Sequence, residues 1–308
     1  MDNIIEQLKN NTITKIYLDN FKKTPINIEY LNKICESLKC NSSLTSLNLG
    51  NNEIKNIDKL SESLKYNSTL TYLNLQSNNI NNIDKLGKNL KYNNTLKELH
   101  LNNNDIENID KLGKSLKYNS SLTKLIIYSN KIKNIDKLSE SLKYNNSLKF
   151  LDICCNEIKN IDKLGESLKY NKSLKYLYIY CNKIENIDKL SESVKFNSTL
   201  KILNLRDNKI SNVDKLGESL KYNKSLEMLG LQSNKIKNID KLEESLKYNC
   251  TKIFIYNNRI KNFYDLKDKY IYNCNYQIDF INDYKPDEFD IKKYEQKEDD
   301  DFEQMISF

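Results

Sequence analysis

A catalytic or metal site in this chain would have to be assembled from few parts. The 308 residues include one histidine, His100, and seven cysteines, Cys35, Cys40, Cys154, Cys155, Cys181, Cys250 and Cys274. No Ser/His/Asp set with a second histidine is possible. The six glycines are isolated, so no glycine-rich loop cradles a phosphate. Cys154, Cys155 and Cys181 could offer thiolates to a metal. They lack the C-x-x-C spacing of a closed site, however, and His100 lies two turns from the nearest of them. The expectation is a protein without enzymatic activity, cofactor or metal. An odd, irregularly spaced cysteine set is also no disulfide framework, which points to a reducing, intracellular home.

Four other columns of polar residues recur every 26 positions and could each do chemistry. Asp58, Asp84, Asp110, Asp136, Asp162, Asp188, Asp214 and Asp240 could suggest calcium, but each is followed by Lys and has no second carboxylate at ligand spacing. Standing near helix starts, they are read as capping groups that meet the positive end of the helix dipole. Asn67, Asn93, Asn119, Asn145, Asn171, Asn197, Asn223 and Asn249 all begin N-x-S/T glycosylation sequons. The structural reading makes them left-handed C-caps. Asn52, Asn78, Asn104, Asn130, Asn156, Asn182, Asn208, Asn234 and Asn258 are read as amides that hydrogen-bond the backbone of a tight turn. Finally, Lys and an aromatic residue pair at Lys65-Tyr66 and onward to Lys247-Tyr248, with Phe196 as the one non-tyrosine. Such a ladder could stack bases and neutralise phosphates. It could equally be a solvated lysine edge with rings covering gaps between neighbouring helices.

These columns imply one supersecondary unit used repeatedly. The unit beginning at Ser43 returns through Leu44, Leu70, Leu96, Leu122, Leu148, Leu174, Leu200 and Leu226 without a slip in register. A lengthened unit precedes it (Ile13, Ile16, Leu18) and a shortened one follows (Ile253, Ile255, Asn258, Ile260), giving about ten turns. Leu47 and Leu49 alternate with Ser46, Asn48 and Gly50, the period of a short strand. Ile57, Leu60 and Leu64 share one face of a helix. A single unit cannot bury both stripes, whereas stacked units can. Strands repeat at about 4.8 Å and helices at roughly 8–10 Å, so the stack should bend with its strands inside.

The pattern L-x-x-L-x-L-x-x-N-x-I, carried first by Leu44, Leu47, Leu49, Asn52 and Ile54, resembles the leucine-rich repeat family over about four fifths of the chain. The second half of the unit, N-I-D-K-L-x-E-S-L-K-Y-N, resembles the ribonuclease-inhibitor-like subclass, also seen in NLR-type receptors, although a residue or two shorter. The resemblance implies an α/β horseshoe-shaped solenoid, with a parallel sheet on the concave face, helices on the convex face, and protein ligands. The expected organisation is a helical N-terminal cap over residues 1–11, repeats over 12–262, and a C-terminal cap over 263–286 including Phe263, Leu266, Tyr270, Ile271, Ile278 and Phe280. An acidic, disordered tail is expected over 287–308. That tail carries nine acids against three bases, a net −6, which leaves +13 on the rest of a chain of net charge +7. No stretch approaches eighteen apolar residues, and MDNIIEQLKNN has neither the basic nor the apolar region of a signal peptide, so a cytoplasmic monomer without membrane contact is expected.

Function should be written in the outward strand positions, because the repeat rule leaves them free. They are small or polar in the early turns, as at Tyr72, Asn74, Gln76, Glu98, His100 and Asn102. In the middle they become Ile126, Tyr128, Phe150, Asp152, Tyr176, Tyr178, Tyr180 and Ile202, and polarity returns at Asn204, Arg206, Gly230 and Gln232. An apolar, aromatic patch with a polar rim marks an interaction site, and Tyr is a favoured anchor. The expected function is therefore a protein-interaction scaffold that binds a partner protein at this patch. The alternative is an electrostatic binder of nucleic acid or another polyanion through the Lys/Tyr columns, whose affinity would fall steeply with salt.

Overall fold

A computed structural model describes residues 2–19 and 25–260, together with the backbone of a short strand at Ile278–Asp279. The chain begins with α1 (Asp2–Lys9), β1 (Lys15–Tyr17) and α2 (Ile28–Cys40). Strand and helix then alternate as β2 (Ser46–Asn48), α3 (Asp58–Tyr66), β3 (Tyr72–Asn74), α4 (Asp84–Leu90), β4 (Glu98–His100), α5 (Asp110–Leu116), β5 (Lys124–Ile126) and α6 (Asp136–Leu142). They continue as β6 (Phe150–Asp152), α7 (Asp162–Leu168), β7 (Tyr176–Tyr178), α8 (Asp188–Val194), β8 (Ile202–Asn204), α9 (Asp214–Leu220), β9 (Met228–Gly230), α10 (Asp240–Ser245) and β10 (Lys252–Phe254), with β11 at Ile278–Asp279. One open parallel sheet takes the strands in chain order, and equivalent residues of successive turns face each other. This is the α/β solenoid that the repeat implies. From α4 to α9 the helices have only 7 residues. Beyond the backbone of β11, the C-terminal cap and tail expected over 263–308 lie outside the described residues.

Each turn contributes the same apolar set to a continuous core. In the turn built on β6 these are Leu148, Leu151, Ile153, Ile158, Ile161, Leu164 and Leu168, all fully buried or nearly so. The core runs from Ile5 and Leu8 of α1 to Ile253 and Ile255 beside β10.

Two asparagine ladders stitch the turns together. In the first, Asn156 Nδ2 donates to Ile153 O (3.2 Å) and Cys154 O (2.9 Å) of its own turn and to Ile127 O (3.2 Å) of the turn before. Its Oδ1 accepts from Ile132 N (3.0 Å). Asn78, Asn104, Asn130, Asn182, Asn208 and Asn234 repeat the pattern.

The second ladder corrects the reading of Asn67 and its column as left-handed caps. Asn67 has φ −70° and ψ 131°, which is extended backbone, and none of the column has a positive φ. These amides are buried and span two turns. Asn145 Nδ2 donates to Leu116 O (2.7 Å) and Asn119 O (3.0 Å), and its Oδ1 accepts from Ser147 N (3.1 Å) and Leu148 N (2.8 Å). The amide nitrogen a glycan would need is thus already committed inside the fold.

Most of the left-handed residues form a column just before the first ladder, which Asn257 ends: Asn51, Ser77, Asn103, Ser129, Cys155, Cys181, Asp207 and Ser233 have φ of 49–57°. Each of their N–H groups donates to a carbonyl of the following turn, as Ser129 N does to Cys154 O (3.0 Å).

The aspartate column is also corrected. The residue before each helix, such as Ile57 or Ile161, makes no side-chain cap. The carboxylate is the first helical residue, and its own N–H is capped by the asparagine two positions earlier, as Asn160 Oδ1 accepts from Asp162 N (2.8 Å). Three of the aspartates pair with a lysine of the next turn: Asp136 with Lys163 at 3.2 Å, Asp188 with Lys215 at 3.0 Å, and Asp58 with Lys85 at 3.9 Å. Glu140 joins the first pair, and hydrogen bonds from Lys163 and Lys137 hold its carboxyl down at about 2.

Helix spacing is set by one position per turn. Gly87, Gly113, Gly165 and Gly217 each face the first turn of the next helix so closely that a Cβ on Gly165 would lie 2.4 Å from Leu190 N. The equivalent residues Ser139 and Ser191 lie in helices whose next neighbour packs less closely.

Candidate functional site

Period-two alternation turns the first and third residues of each strand away from the helices, and parallel register aligns them across turns. Lys124, Phe150, Tyr176, Ile202 and Met228 form one row, and Ile126, Asp152, Tyr178, Asn204 and Gly230 the next. Tyr128, Cys154, Tyr180 and Arg206 follow two residues on. All eight residues singled out in the sequence therefore lie on this open face of the sheet.

They are less exposed than their polar surroundings suggest. Cys154, Tyr176, Tyr178 and Ile202 are buried in a second apolar cluster, separate from the main core, with Tyr128, Phe150, Cys155, Tyr180 and Met228 packed against it. Tyr178 retains 4% exposure and Ile202 2%. The rings cover one another: Phe150 stands 5.2 Å from Tyr178 and 6.1 Å from Tyr176, centroid to centroid, in tilted geometry. Lys124 Nζ lies 5.1 Å from the Phe150 ring centre. Ile126 is buried at the edge, so Tyr128, Phe150 and Tyr180 present the accessible part of the patch. Cys154, weighed in the sequence only as a metal thiolate, and Met228 also belong to the cluster; neither is aromatic, so neither was read as part of the patch.

Asp152 has a structural task as well. Its Oδ1 accepts from Cys154 N (3.1 Å), as Asn48, Asn74 and Asn204 accept from the N–H two residues on. It is itself buried, and its charge acts on Tyr128 and Tyr180. Burial, and after it the Asp152 carboxylate, pushes the Tyr128 phenol up. Burial also pushes Tyr180 up, followed by the influence of Cys154 and Asp152. These phenols therefore stay protonated and can donate hydrogen bonds. Gln232, placed on the polar rim from sequence, is instead fully buried, and neither polar atom of its amide has a partner among the described residues.

The other candidates are accounted for differently. His100 packs its ring 5.1 Å from Tyr72 and lies 3.4 Å from Glu98. Among the described residues no group of three His, Cys, Asp or Glu could hold a metal ion, and no helix is long and apolar enough to cross a membrane. On the helical side the Lys/Tyr columns interlock. Lys117 Nζ lies 4.6 Å from the ring centre of Tyr144, Lys143 4.6 Å from Tyr170, Lys169 4.6 Å from Phe196, and Lys195 4.3 Å from Tyr222. The rings remain more than half exposed and serve as shelves for the preceding turn's ammonium. Beside them runs a shallow groove of about 940 Å³ that mixes Lys137, Lys163 and Lys169 with Glu140, Glu166 and Glu192.

A leucine-rich repeat family model matches residues 40–57, 66–83, 92–109 and 196–214. Among solved structures, actin-binding site 2 of leiomodin-1 is 31% identical, with 41% of this chain and 78% of that chain covered and a TM-score of 0.39. An internalin from Listeria monocytogenes is 23% identical, with 91% of this chain and 89% of that chain covered and a TM-score of 0.47. No curated protein matches the chain significantly.

Proposed function

The chain belongs to the leucine-rich repeat family, and from that premise we propose that it is a non-enzymatic interaction scaffold that binds a partner protein on the open face of its sheet. The observation that carries this reading is the second apolar cluster. A repeat needs only its inward leucines to fold, yet Phe150, Tyr176, Tyr178 and Ile202 build an additional packed layer on a face that is otherwise polar. Pre-packed rings lose little side-chain freedom on binding, which suits them as anchors. The binding residues are Ile126, Tyr128, Phe150, Asp152, Tyr176, Tyr178, Tyr180 and Ile202. Tyr128, Phe150 and Tyr180 make first contact, and Asp152 contributes charge. The helical half of each unit supports placing the chain in the ribonuclease-inhibitor-like subclass, and the monomer is the binding unit.

The test uses a partner captured from the native host, with its affinity measured against single variants. Phe150→Ala and Tyr178→Ala should each cost more than about 1 kcal/mol of binding, while Asn48→Ala costs little. Melting curves of the free variants separate lost binding from a loosened cluster. Equal effects at all three positions would remove the patch from the interface. Affinity that falls steeply with salt and responds only to Lys143→Ala and Lys169→Ala would instead favour a polyanion on the helical side. The ring-shelved lysines argue against that outcome, since their ammonium groups already have partners.

A further inference from the structure

Two cysteines stand side by side where the repeat places side chains in contact across turns. Cys155 and Cys181 occupy the same position of successive turns, in the left-handed column, with φ of 50° and 52°. Backbone bonds hold that alignment: Cys155 N donates to Tyr180 O (3.0 Å), and Cys181 N to Arg206 O (3.0 Å). Elsewhere in the column side chains of adjacent turns touch, as Asn103 Nδ2 reaches Ser77 Oγ at 3.5 Å and Asn257 Nδ2 reaches Ser233 Oγ at 3.0 Å. The two thiols stand at this same position, near enough for Cys181 to act on the ionisation of Cys155. Neighbouring parallel strands bring equivalent Cα atoms to about 4.8 Å, within the roughly 4.4–6.8 Å that a disulfide spans. Both are free thiols; Cys181 is exposed and Cys155 half-buried.

We propose that Cys155 and Cys181 are a two-thiol redox site that closes to a reversible disulfide between adjacent turns when it meets a small disulfide such as oxidised glutathione. The exposed Cys181 reacts first. Its thiolate attacks one sulfur of the glutathione disulfide, that S–S bond breaks, and one glutathione leaves as a thiolate and takes up a proton. Cys155 then loses its proton, attacks the Cys181 sulfur and displaces the second glutathione. The two protein thiols give up two electrons, and one small disulfide becomes two thiols. Burial, followed by the Cys181 neighbour, pushes the Cys155 thiol up to about 12, so Cys155 resolves the mixed disulfide better than it initiates attack. In a reducing compartment the bond is transient, as befits a site that reports redox state at the edge of the aromatic patch.

The test treats the folded full-length chain with oxidised glutathione, blocks remaining thiols by alkylation, and maps cysteines by mass spectrometry. The expected product is a chain whose digest yields the Cys155 and Cys181 peptides linked to each other, lighter by two hydrogens than the two free peptides, with neither alkyl group nor glutathione on either cysteine. Cys155→Ser should trap a glutathione on Cys181. Cys181→Ser should leave Cys155 reacting at least about tenfold more slowly than Cys181 does in the native chain. Serine already fills this column at Ser77, Ser129 and Ser233, so both variants keep the fold. Glutathione stably retained on Cys181 of the native chain, or a link from Cys181 to any other cysteine or to a second chain, would overturn the proposal.

Discussion

Replacing Asn156 by alanine is expected to lower the unfolding free energy by about 1–3 kcal/mol, seen as a lower urea midpoint at an unchanged slope. The side chain closes four hydrogen bonds in a place that water does not reach. Alanine would take the amide away from the N–H of Ile132 and from the carbonyls of Ile127 and Ile153, while Cys154 O keeps its bond from Ser129 N, and buried groups without partners carry the full desolvation cost. Asn145→Ala should behave alike, since that amide also bridges two turns. The contrast is Lys131→Ala. Lys131 pairs with Asp105 at 2.6 Å, but both side chains are close to half exposed, so the change should stay near neutral. A Lys131 variant as damaging as the Asn156 variant would mean that the ladder does not hold the turns.

The other large effect is expected at a glycine. Gly165→Ala adds one methyl group where the next helix's backbone lies 2.4 Å away, at Leu190 N and Lys189 C. Backbone cannot swing aside as a side-chain tip can, so α7 and α8 must separate, at about 1–3 kcal/mol or more. The equivalent change in a serine helix should do the opposite. Ser139 is buried and its hydroxyl has no partner among the described residues, so Ser139→Ala removes an unsatisfied group without adding volume and should be neutral or mildly stabilising. Thermal melts of the two variants decide the matter. A harmless Gly165→Ala would show that the spacing is soft and that the glycines are incidental.

What the sequence made legible was whatever repeats locally. The 26-residue spacing of Leu44 to Leu226 contained the strands, the helices and their order, because each depends on residues within one unit. The task of Asn67 was not legible. A left-handed cap and an extended, doubly bonded amide fit the same local sequence, and the choice is made by carbonyls of Leu38 and Asn41, 29 and 26 residues away. The left-handed column escaped notice because it holds Ser129, Cys155 and Cys181 rather than glycine. At the candidate site the alternation told which side chains face outward. It could not tell that Phe150 would lean onto Tyr178, nor that Cys154 and Met228 would join them, since packing across strands is decided by four turns at once.

The amide ladders also make the number of turns a free variable. In the regular 26-residue turns their bonds between turns reach 24, 26 or 29 residues along the chain, one turn and no further. An in-frame excision of one whole unit would therefore rejoin every donor to an acceptor of the same kind, and a duplicated unit would find its bonds ready made. A gene for such a chain can lengthen or shorten by recombination between its own copies without passing through an unfoldable intermediate. Growth or loss of units then changes how far the outward-facing rows extend, while leaving the chemistry that closes each turn untouched.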